Sequence, residues 1–577
     1  MRIVLLYPPP WKIPSPGAAP DPSGDGPPEG LAACDIDADF WQIPYGLLSL
    51  AAQALRAGHS VKVLNLSAFA WTRVAEVIGA LDAELWGLSC FTANRRGVGL
   101  VAREIRRQHP MAHLAVGGPH PTTLAVETLR HWPDVDTVVM GEGEESFLEL
   151  CARLDAGRPT AGIAGTAWRT AGGARVGPAR RRIADLDALA CPHEHFATHL
   201  VLTARGCPGR CTFCATEAVW GHAYRAHSVR YVLDMLERAL ARLPVRMVTF
   251  KDETFTANRK RGLELCQGMI DRKLDFVWSC DTRADSLTEE LARAMRLAGC
   301  QRLSFGVESG SPEVLRAIRK NVTPETILEA TEIAKRFGLQ VRFFMMLGNR
   351  GETAETFRQS LELVRRAKPH QALFACLSVY PGTQDFVDLE RAGVLEREVY
   401  FGEDFLELKM PFDASAEDEA MLSEWFTGHR GLQQVHHYGS AELEQVLARL
   451  GEHHAAHLDL GAACYRMGQL ERAERHVRRA LELGYPLPGL GHNYLACIAA
   501  AQGDAERMQR ELAQAEKLDP LHLVLVRNRE LVRSWLAAGA AGRTPLPKLV
   551  SGHDFELLER TRQPTLPGPL PDDFARW

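Results

Sequence analysis

From Met1 to about residue 150, short apolar runs alternate with longer segments, such as Tyr45–Ala57, whose apolar positions recur at helical spacing. The runs predict five strands: Ile3–Tyr7, Val61–Leu66, Leu85–Leu88, Leu114–Val116 and Thr137–Met140. Such alternation predicts a parallel, doubly wound sheet of the Rossmann type, with ligands at the carboxyl ends of its strands. We assign this domain to residues 1–155, followed by a linker at residues 156–195 that carries one extra strand pair.

A second series of strands and helices begins near Leu200. Helical patterns, for example at Thr288–Leu297 and Pro324–Phe337, separate its apolar runs. These runs predict six strands: Leu200–Thr203, Met247–Phe250, Phe276–Cys280, Arg302–Gly306, Val341–Met346 and Ala372–Val379. Six such units predict an open, partial (β/α)6 barrel of the TIM type at residues 196–390, again with its chemistry at the carboxyl ends of the strands.

Strand signals end near residue 385, and residues 391–450 read as a helical extension. Four positions recur 35 residues later along the chain: Leu460, Gly468, Ala480 and Leu483 as Leu495, Gly503, Ala515 and Leu518. A helix–turn–helix period close to about 34 residues is typical of tetratricopeptide repeats, which we predict at residues 451–538. These repeats either contact a protein partner or pack on neighbouring helices. The proline-rich residues 539–577 are predicted to form an irregular tail.

Composition and charge narrow the classes of function. Lys and Arg number 67 against 72 Asp and Glu, so the formal net charge of −5 gives no basic surplus for nucleic acid. No apolar run reaches the roughly 18 residues of a membrane span, and the chain start reads as a strand instead of a signal peptide. Thirteen cysteines, mostly single, fit a reducing cytoplasm in which clustered thiols bind metal.

Three of these cysteines, Cys207, Cys211 and Cys214, stand within eight residues in a Gly/Pro loop after a predicted strand. Thiolates at this C-x3-C-x2-C spacing can bind three irons of a [4Fe–4S] cluster and leave the fourth iron open. A structural zinc site is the alternative. It needs four ligands, so His222 or His227 would have to complete it.

The triplet, with the aromatic Phe213 before its last cysteine, resembles the signature of the radical S-adenosylmethionine (SAM) enzymes. In that family the open iron chelates SAM, whose reductive cleavage releases a 5′-deoxyadenosyl radical. The resemblance therefore implies an external electron donor of the flavodoxin or ferredoxin type. It also implies SAM-binding residues at the strand ends: Phe213 beside the cluster, Asp252 and Glu253 near the methionine amino group, Arg283 near the carboxylate, Glu308 and Ser309 at the ribose, and Tyr380 on the adenine side.

Each of these positions also has a plainer interpretation. Asp252 or Glu253 would serve as a helix N-cap, Arg283 as half of a structural ion pair, and Glu308 as a solvated loop acid. One motif departs from the family pattern, because Arg350 stands where proline is commoner in the sequence Gly-Asn-Arg-Gly-Glu after the fifth strand.

The strand ends of the first domain are rich in small residues, which open a slot for a long nucleotide tail. No G-x-G-x-x-G follows the first strand, which excludes a nicotinamide site. The pattern is similar to cobalamin-binding domains, and residues 1–385 thus resemble the cobalamin-dependent radical SAM family. The predicted cobalamin contacts are Ser89, Thr92, Gly117, Gly118, His120, Gly141, Glu142 and Gly143. No D-x-H-x-x-G loop is present, and His59 reads as part of a helix cap, which implies cobalt without a histidine ligand. An unliganded structural domain is the alternative.

The resemblance implies methylation of an unactivated carbon by methylcobalamin and a 5′-deoxyadenosyl radical. The substrate would be a secondary metabolite, lipid or peptide, either free or bound to a carrier. Cyclisation or rearrangement without methyl transfer is one alternative, and a tetratricopeptide interaction protein with a vestigial enzyme core is another. Candidate pocket residues beyond the barrel, which would otherwise pack between helices, are Phe401, Phe405, Trp425 and Phe426.

Overall fold

The computed structural model describes residues 1–9, 43–67, 69, 71–402, 437–537, 545–553 and 576–577. Over these ranges the chain is a mixed α/β protein with two largely parallel sheets and a helical C-terminal region. None of the helices within the described ranges combines the length and the apolar character that crossing a membrane requires.

The first sheet has seven strands: β1 (Arg2–Tyr7), β2 (Ser60–Asn65), β3 (Leu85–Ser89), β4 (His113–Gly117), β5 (Thr137–Val139), β6 (Thr166–Thr170) and β7 (Gly173–Val176). Their order is β2-β1-β3-β4-β5-β6-β7. The first five strands run parallel, as predicted; β6 then pairs antiparallel to β5, and β7 pairs antiparallel to β6. Its helices are α1 (Tyr45–Arg56), α2 (Trp71–Ala80), α3 (Arg95–Gln108), α4 (Pro119–Thr123), α5 (Ala125–His131) and α6 (Glu144–Asp155).

Strand β1 shows why this sheet is covered on both faces. Successive side chains of a strand point to opposite faces. Ile3 and Leu5 pack into one apolar core with residues of α1 and α6, whereas Val4 and Leu6 pack into another with residues of α2 and α3. A strand that is buried on both faces reads as a continuous apolar run, which is what made β1 recognisable in the sequence.

The second sheet has six parallel strands: β8 (Leu200–Val201), β11 (Met247–Phe250), β12 (Val277–Thr282), β13 (Cys300–Glu308), β14 (Gln340–Leu347) and β15 (Gln371–Cys376). Their order is β15-β14-β13-β12-β11-β8. A separate antiparallel ribbon joins β9 (Ala204–Arg205) to β10 (Arg225–Ala226). The helices are α7 (Thr216–Trp220), α8 (Val229–Arg242), α9 (Arg259–Asp271), α10 (Glu289–Leu297), α11 (Pro312–Ala317), α12 (Pro324–Arg336), α13 (Ala354–Ala367) and α14 (Gln384–Arg391).

Side-chain caps determine where several of these helices begin. Ser228 accepts a hydrogen bond from the Tyr231 N–H at the start of α8, and Asn258 does the same for Arg261 at the start of α9. Thr353 caps α13 in a capping box with Thr356. A side-chain cap stabilises the first turn of a helix. The caps therefore fix the residue at which each of these loops ends and its helix begins.

The C-terminal region contains α15 (Ser440–Leu450), α16 (His454–Arg466), α17 (Leu470–Glu482), α18 (Pro488–Ala501), α19 (Ala505–Leu518) and α20 (Leu523–Ala537). The 35-residue repeat falls on two helical hairpins, α16–α17 and α18–α19, with Gly468 and Gly503 in left-handed turns at φ 72° and 81°. Residues 545–553 have no regular structure and dock on these helices, where the Val550 carbonyl accepts hydrogen bonds from Asn493 and Asn528.

The helical region packs against the amino ends of the second sheet. Arg296 at the end of α10 forms a buried ion pair with Asp459 of α16. The Tyr438 hydroxyl donates to the Leu339 carbonyl just before β14, at 2.6 Å. The helical region therefore lies at the opposite end of the strands from their carboxyl edge.

The Arg296–Asp459 pair predicts a large stability effect. Asp459 also accepts a hydrogen bond from His553, at 2.7 Å. We expect Asp459→Ala to lower the free energy of unfolding by about 3–5 kcal/mol, because Arg296 would stay buried without its partner. Urea unfolding measures the change. The control is Glu289→Ala, which breaks the exposed Arg336–Glu289 pair and should cost less than about 1 kcal/mol. Equal losses in both variants would contradict the prediction.

Candidate functional site

The carboxyl edges of the two sheets face each other across a cavity of about 550 Å³. The first sheet contributes Tyr7, Phe91 and Thr92, which stand at or just after the ends of β1 and β3. The second sheet contributes Glu253 after β11 and Tyr380 after β15. Most of the other lining side chains are apolar, including Tyr45, Leu200, Leu202, Val219, Trp220 and Pro381. Such a cleft between strand ends is the usual site for a cofactor or substrate.

The three-cysteine loop follows β9 beside this cavity. The Gly209 N–H lies 3.4 Å from the sulfur of Cys207, and the Cys214 thiol donates to the Thr216 hydroxyl at 3.2 Å. Burial raises the pKa of Cys211 and Cys214, while the Lys320 ammonium opposes this shift at both thiols. A positive charge at this point favours the thiolates that bind iron.

These thiols do not form a site for a single metal ion. Within the described ranges, no three His, Cys, Asp or Glu side chains converge closely enough to hold one metal ion. A [4Fe–4S] cluster makes a different demand, because each thiolate binds its own iron. Three half-buried cysteines on one short loop, next to a cation, fit that larger group.

The two histidines of the zinc alternative lie at different places. His222 interacts with the Gly209 carbonyl within the loop, at 3.3 Å, and with Glu217. His227 is buried, with its Nδ1 at 3.0 Å from Asp187, and it stacks on Tyr231. His227 is therefore committed to a pair outside the loop.

Asp252 holds the chain that leads into the cysteine loop. Its carboxylate accepts hydrogen bonds from the Thr203 N–H at 2.6 Å, the Thr203 hydroxyl at 2.5 Å and the Ala204 N–H at 3.2 Å. Burial raises the pKa of Asp252, and these hydrogen bonds oppose the shift. Arg261 adds a hydrogen bond to the Thr203 carbonyl. The role of Asp252 as a SAM contact stays a prediction; its described partners all belong to the chain.

A second set of contacts holds the middle of the loop. Thr212 donates its N–H to the Ile318 carbonyl at 3.1 Å and its hydroxyl to Asp385 at 3.2 Å. Arg350 in turn pairs with Asp385 at 2.8 Å and Asp388 at 2.9 Å. The arginine that departs from the family pattern therefore supports the aspartate that anchors the cysteine loop.

Glu308 and Arg283, the predicted ribose and carboxylate contacts of SAM, lie near the cysteine loop. Glu308 has a left-handed backbone at φ 69° and accepts a hydrogen bond from Lys320 at 3.0 Å. Arg283 pairs with Asp285 and donates to the Lys320 carbonyl at 2.8 Å. Lys320 was missed in the sequence, because it stands in no motif and reaches Glu308 only through the fold.

Of the other predicted SAM contacts, some line the cavity and others are packed inside the protein. Glu253 and Tyr380 line the cavity, whereas Phe213 packs against the apolar core of the second sheet. Ser309 is fully buried; its hydroxyl lies 3.1 Å from the Ser360 hydroxyl and accepts a hydrogen bond from the Ser311 N–H.

At the edge of the first sheet, Thr92 lines the cavity and contacts His120 at 3.2 Å. The predicted glycines and serine stand at the strand ends. Gly118 has φ 114°, and a Cβ there would lie 2.5 Å from the Cys90 carbonyl oxygen, so only glycine fits. Gly141 has φ 67° with open space beside it. Ser89, Gly117 and Gly143 complete this edge.

Two further candidate residues, His120 from the predicted cobalamin contacts and Phe401 from the predicted substrate pocket, are not among the residues that line the cavity. His120 is 1% exposed and packs among Trp132, Tyr400 and Phe401. Burial lowers the pKa of His120 to about 3, so it is neutral. Its role as a cobalamin contact stays a prediction. Phe401 belongs to this aromatic cluster and not to the cavity lining, while Phe405, Trp425 and Phe426 lie outside the described residues.

Glu142 and Glu144, after β5, are bound by arginines of the β9–β10 ribbon. Arg205 lies 2.5 Å from Glu144 and 3.8 Å from Glu142, and Arg225 also pairs with Glu142. Burial alone would lower the pKa of Arg205, but the two glutamates raise it. Sequence reasoning missed Arg205 and Glu144, although they flank the cysteine and glycine motifs. His59, the predicted cap, pairs with Asp155.

Comparisons with known proteins agree with these features. Residues 201–364 match the Radical SAM superfamily, and residues 37–151 match the B12 binding domain. An uncharacterized methyltransferase of Pyrococcus horikoshii is 31% identical over 354 residues, 59% of this chain and 77% of that protein. The anaerobic magnesium-protoporphyrin IX monomethyl ester cyclase of Rubrivivax gelatinosus is 27% identical, over 62% of this chain and 68% of its own length.

A solved structure has a similar fold. It is the radical SAM methyltransferase TsrM from Kitasatospora setae, with cobalamin and a [4Fe–4S] cluster bound. The TM-score is 0.54 at 19% identity, covering 68% of this chain and 75% of that one.

Glu253 predicts a dependence of stability on pH. Burial raises the pKa of Glu253 from the ordinary 4.5 to about 7. The folded protein therefore favours the protonated, neutral form of Glu253. The stability that this form contributes is complete below pH 4.5 and is lost as the pH rises through 7. From about pH 5.5 to about pH 7.5 we expect the wild type to lose about 2 kcal/mol relative to Glu253→Gln. Urea unfolding of both proteins at the two pH values measures this, and parallel pH profiles would contradict it.

Proposed function

This chain belongs to the cobalamin-dependent radical SAM enzymes, and we propose that it methylates an unactivated carbon of a small-molecule, peptide or carrier-bound substrate. One observation carries the proposal: the cavity that both sheets line at their carboxyl edges. The three-cysteine loop stands on one side of this cavity and the strand ends of the first sheet on the other. Methyl transfer needs two cofactors that face a single substrate position, and this arrangement provides that position.

The cofactors are a [4Fe–4S] cluster, SAM and cobalamin. Bound together, these groups supply a carbon-centred radical and a methyl group. Cys207, Cys211 and Cys214 would hold the cluster. Glu253, Arg283 and Glu308 would hold SAM, with Lys320 fixing the Glu308 carboxylate at 3.0 Å. The strand-end loops at Ser89, Thr92, Gly117, Gly118, Gly141 and Gly143 would hold cobalamin.

The protein's own residues bind, orient and exclude water. Tyr7, Phe91, Trp220 and Tyr380 give the cavity an apolar lining, which keeps water away from a reactive radical. No D-x-H-x-x-G loop is present in the sequence, so we propose that cobalt has no histidine ligand.

We further propose a Rossmann-like cobalamin domain, a partial radical SAM barrel and tetratricopeptide-like repeats within the boundaries predicted from the sequence. The contacts at Arg296 and Tyr438 support a bracing role for the repeats at the amino ends of the barrel strands. A protein partner on their outer face remains a proposal. So do a flavodoxin- or ferredoxin-type electron donor and a cytoplasmic location, for which the scattered positions of most cysteines in the sequence argue.

The proposal is tested with anaerobically reconstituted protein, SAM, hydroxocobalamin and a low-potential reductant. We expect the protein to keep its corrinoid spectrum through gel filtration and to form 5′-deoxyadenosine and S-adenosylhomocysteine. Mass spectrometry of extracts from the native host then searches for a product heavier by one methylene. Formation of 5′-deoxyadenosine with no S-adenosylhomocysteine on any accepted substrate would favour cyclisation or rearrangement instead.

Single Cys→Ser variants of the triplet test the cluster assignment. Cys207→Ser should lose bound iron and lower 5′-deoxyadenosine formation by about 1000-fold or more, because a cluster with two protein thiolates is not retained. Hydroxocobalamin binding should persist. Cys376→Ser, which changes an exposed cysteine outside the triplet, is the matched control and should keep its iron. Full iron content in Cys207→Ser would overturn the assignment.

A further inference from the structure

Four buried charges join the edge of the first sheet to the cysteine loop. Arg205 and Arg225 are paired neighbours on the β9–β10 ribbon. They bind Glu142 and Glu144, which follow β5. We name this set, Glu142, Glu144, Arg205 and Arg225, the junction clamp. Its side chains are 3% to 13% exposed, and its two positive and two negative charges balance.

Arg205 is the centre of the junction clamp. Its Nη2 lies 2.5 Å from Glu144, which also accepts a hydrogen bond from Ser49 of α1 at 2.8 Å. Its guanidinium lies over the ring of Trp220, 4.8 Å from the centroid. Its Nη1 is buried and has no hydrogen-bond acceptor among the described residues. Arg205 is therefore fixed on one side and keeps a donor for a further group.

The junction clamp lies next to both the cavity and the cysteine loop. Glu144, Arg205 and Trp220 all line the cavity. Arg205 is separated from Cys207 by Gly206 alone, which has φ 86° and is packed against the Ala223 carbonyl, so the chain there has little freedom. Glu144 begins α6 directly after the glycine-containing loop at the end of β5. A displacement of that loop therefore moves Arg205, and a displacement of Arg205 moves the cysteine loop.

We propose that Arg205 is a positioning residue that couples corrinoid binding at the first sheet to the geometry of the cysteine loop. The inference rests on the proposed function, because it presumes both cofactors. The two glutamates of the Gly-Glu-Gly-Glu motif then serve to hold the barrel, instead of serving as direct ligands of cobalamin. The clamp sets the separation of the two cofactors and makes each site better formed when the other is filled.

The coupling is measured as the affinity of the protein for hydroxocobalamin, by anaerobic titration with and without the reconstituted cluster. The coupling ratio is the affinity for hydroxocobalamin with the cluster divided by the affinity without it. In the wild type we expect this ratio to be about five or more. In Arg205→Gln this ratio should fall to about one, since the charged link to Glu144 is lost. Glu144→Gln, which keeps the shape of the side chain, should give the same result. The ratio of the double variant should be the same as that of either single variant.

Arg296→Gln is the matched control. It also breaks a buried ion pair between two regions of the chain, but at the opposite end of the strands, and should keep the wild-type ratio. A second readout is the magnetic interaction between cob(II)alamin and the reduced cluster in electron paramagnetic resonance. The splitting that this interaction causes should be well resolved in the wild type and in Arg296→Gln. In Arg205→Gln and Glu144→Gln the lines should be broadened, because the distance between the two centres would no longer be fixed.

Two results overturn the coupling. One is a wild-type ratio of one, and the other is an unchanged ratio in both Arg205→Gln and Glu144→Gln. A wild-type protein that takes up no hydroxocobalamin in either state contradicts the proposed function itself, so the two failures are distinguishable.

Discussion

Holding a short loop with three cysteines in one conformation is the constraint on which the rest of this site depends. A loop of that length has no apolar core of its own and must be fixed from outside. Asp252 fixes its entry, Asp385 fixes its middle, and Arg205 ties it to the first sheet. All three are buried or nearly buried side chains whose charges are used internally. Much of the polar chemistry around the cavity therefore positions the residues that bind.

The two sheets meet at their carboxyl edges, whereas the helical region packs at the amino ends of the second sheet. The Arg296–Asp459 pair and the Tyr438 hydroxyl mark that far contact. The described helices beyond Ser440 consequently contribute no lining to the cavity. Among the described residues, the lining of the cavity thus comes from the regions around the two sheets, while the C-terminal helices contact the amino ends of the second sheet.

The strands were predictable because a strand buried on both faces leaves a continuous apolar run, as at β1. The cysteine loop was predictable because its signal is local. Lys320 and Arg205 were not. Lys320 stands in no motif and reaches Glu308, 12 residues earlier, only through the fold. Glu144, the partner of Arg205, lies 61 residues earlier beside the first sheet, and no local pattern records such pairs. The surroundings of His120 were likewise not predictable, because its aromatic neighbours include the distant residues Tyr400 and Phe401.

Glu308 combines a left-handed backbone at φ 69° with a carboxylate that Lys320 holds in place. A side chain in that conformation costs about 1–3 kcal/mol, and glycine would adopt it freely. Glycine would relieve this strain, but it would also leave the buried Lys320 ammonium without the carboxylate that it pairs with. Removing one partner of a buried ion pair costs about 3–5 kcal/mol, which outweighs the strain that is relieved. Stability alone therefore already favours glutamate at this position, because the strained residue and the buried lysine hold each other in place.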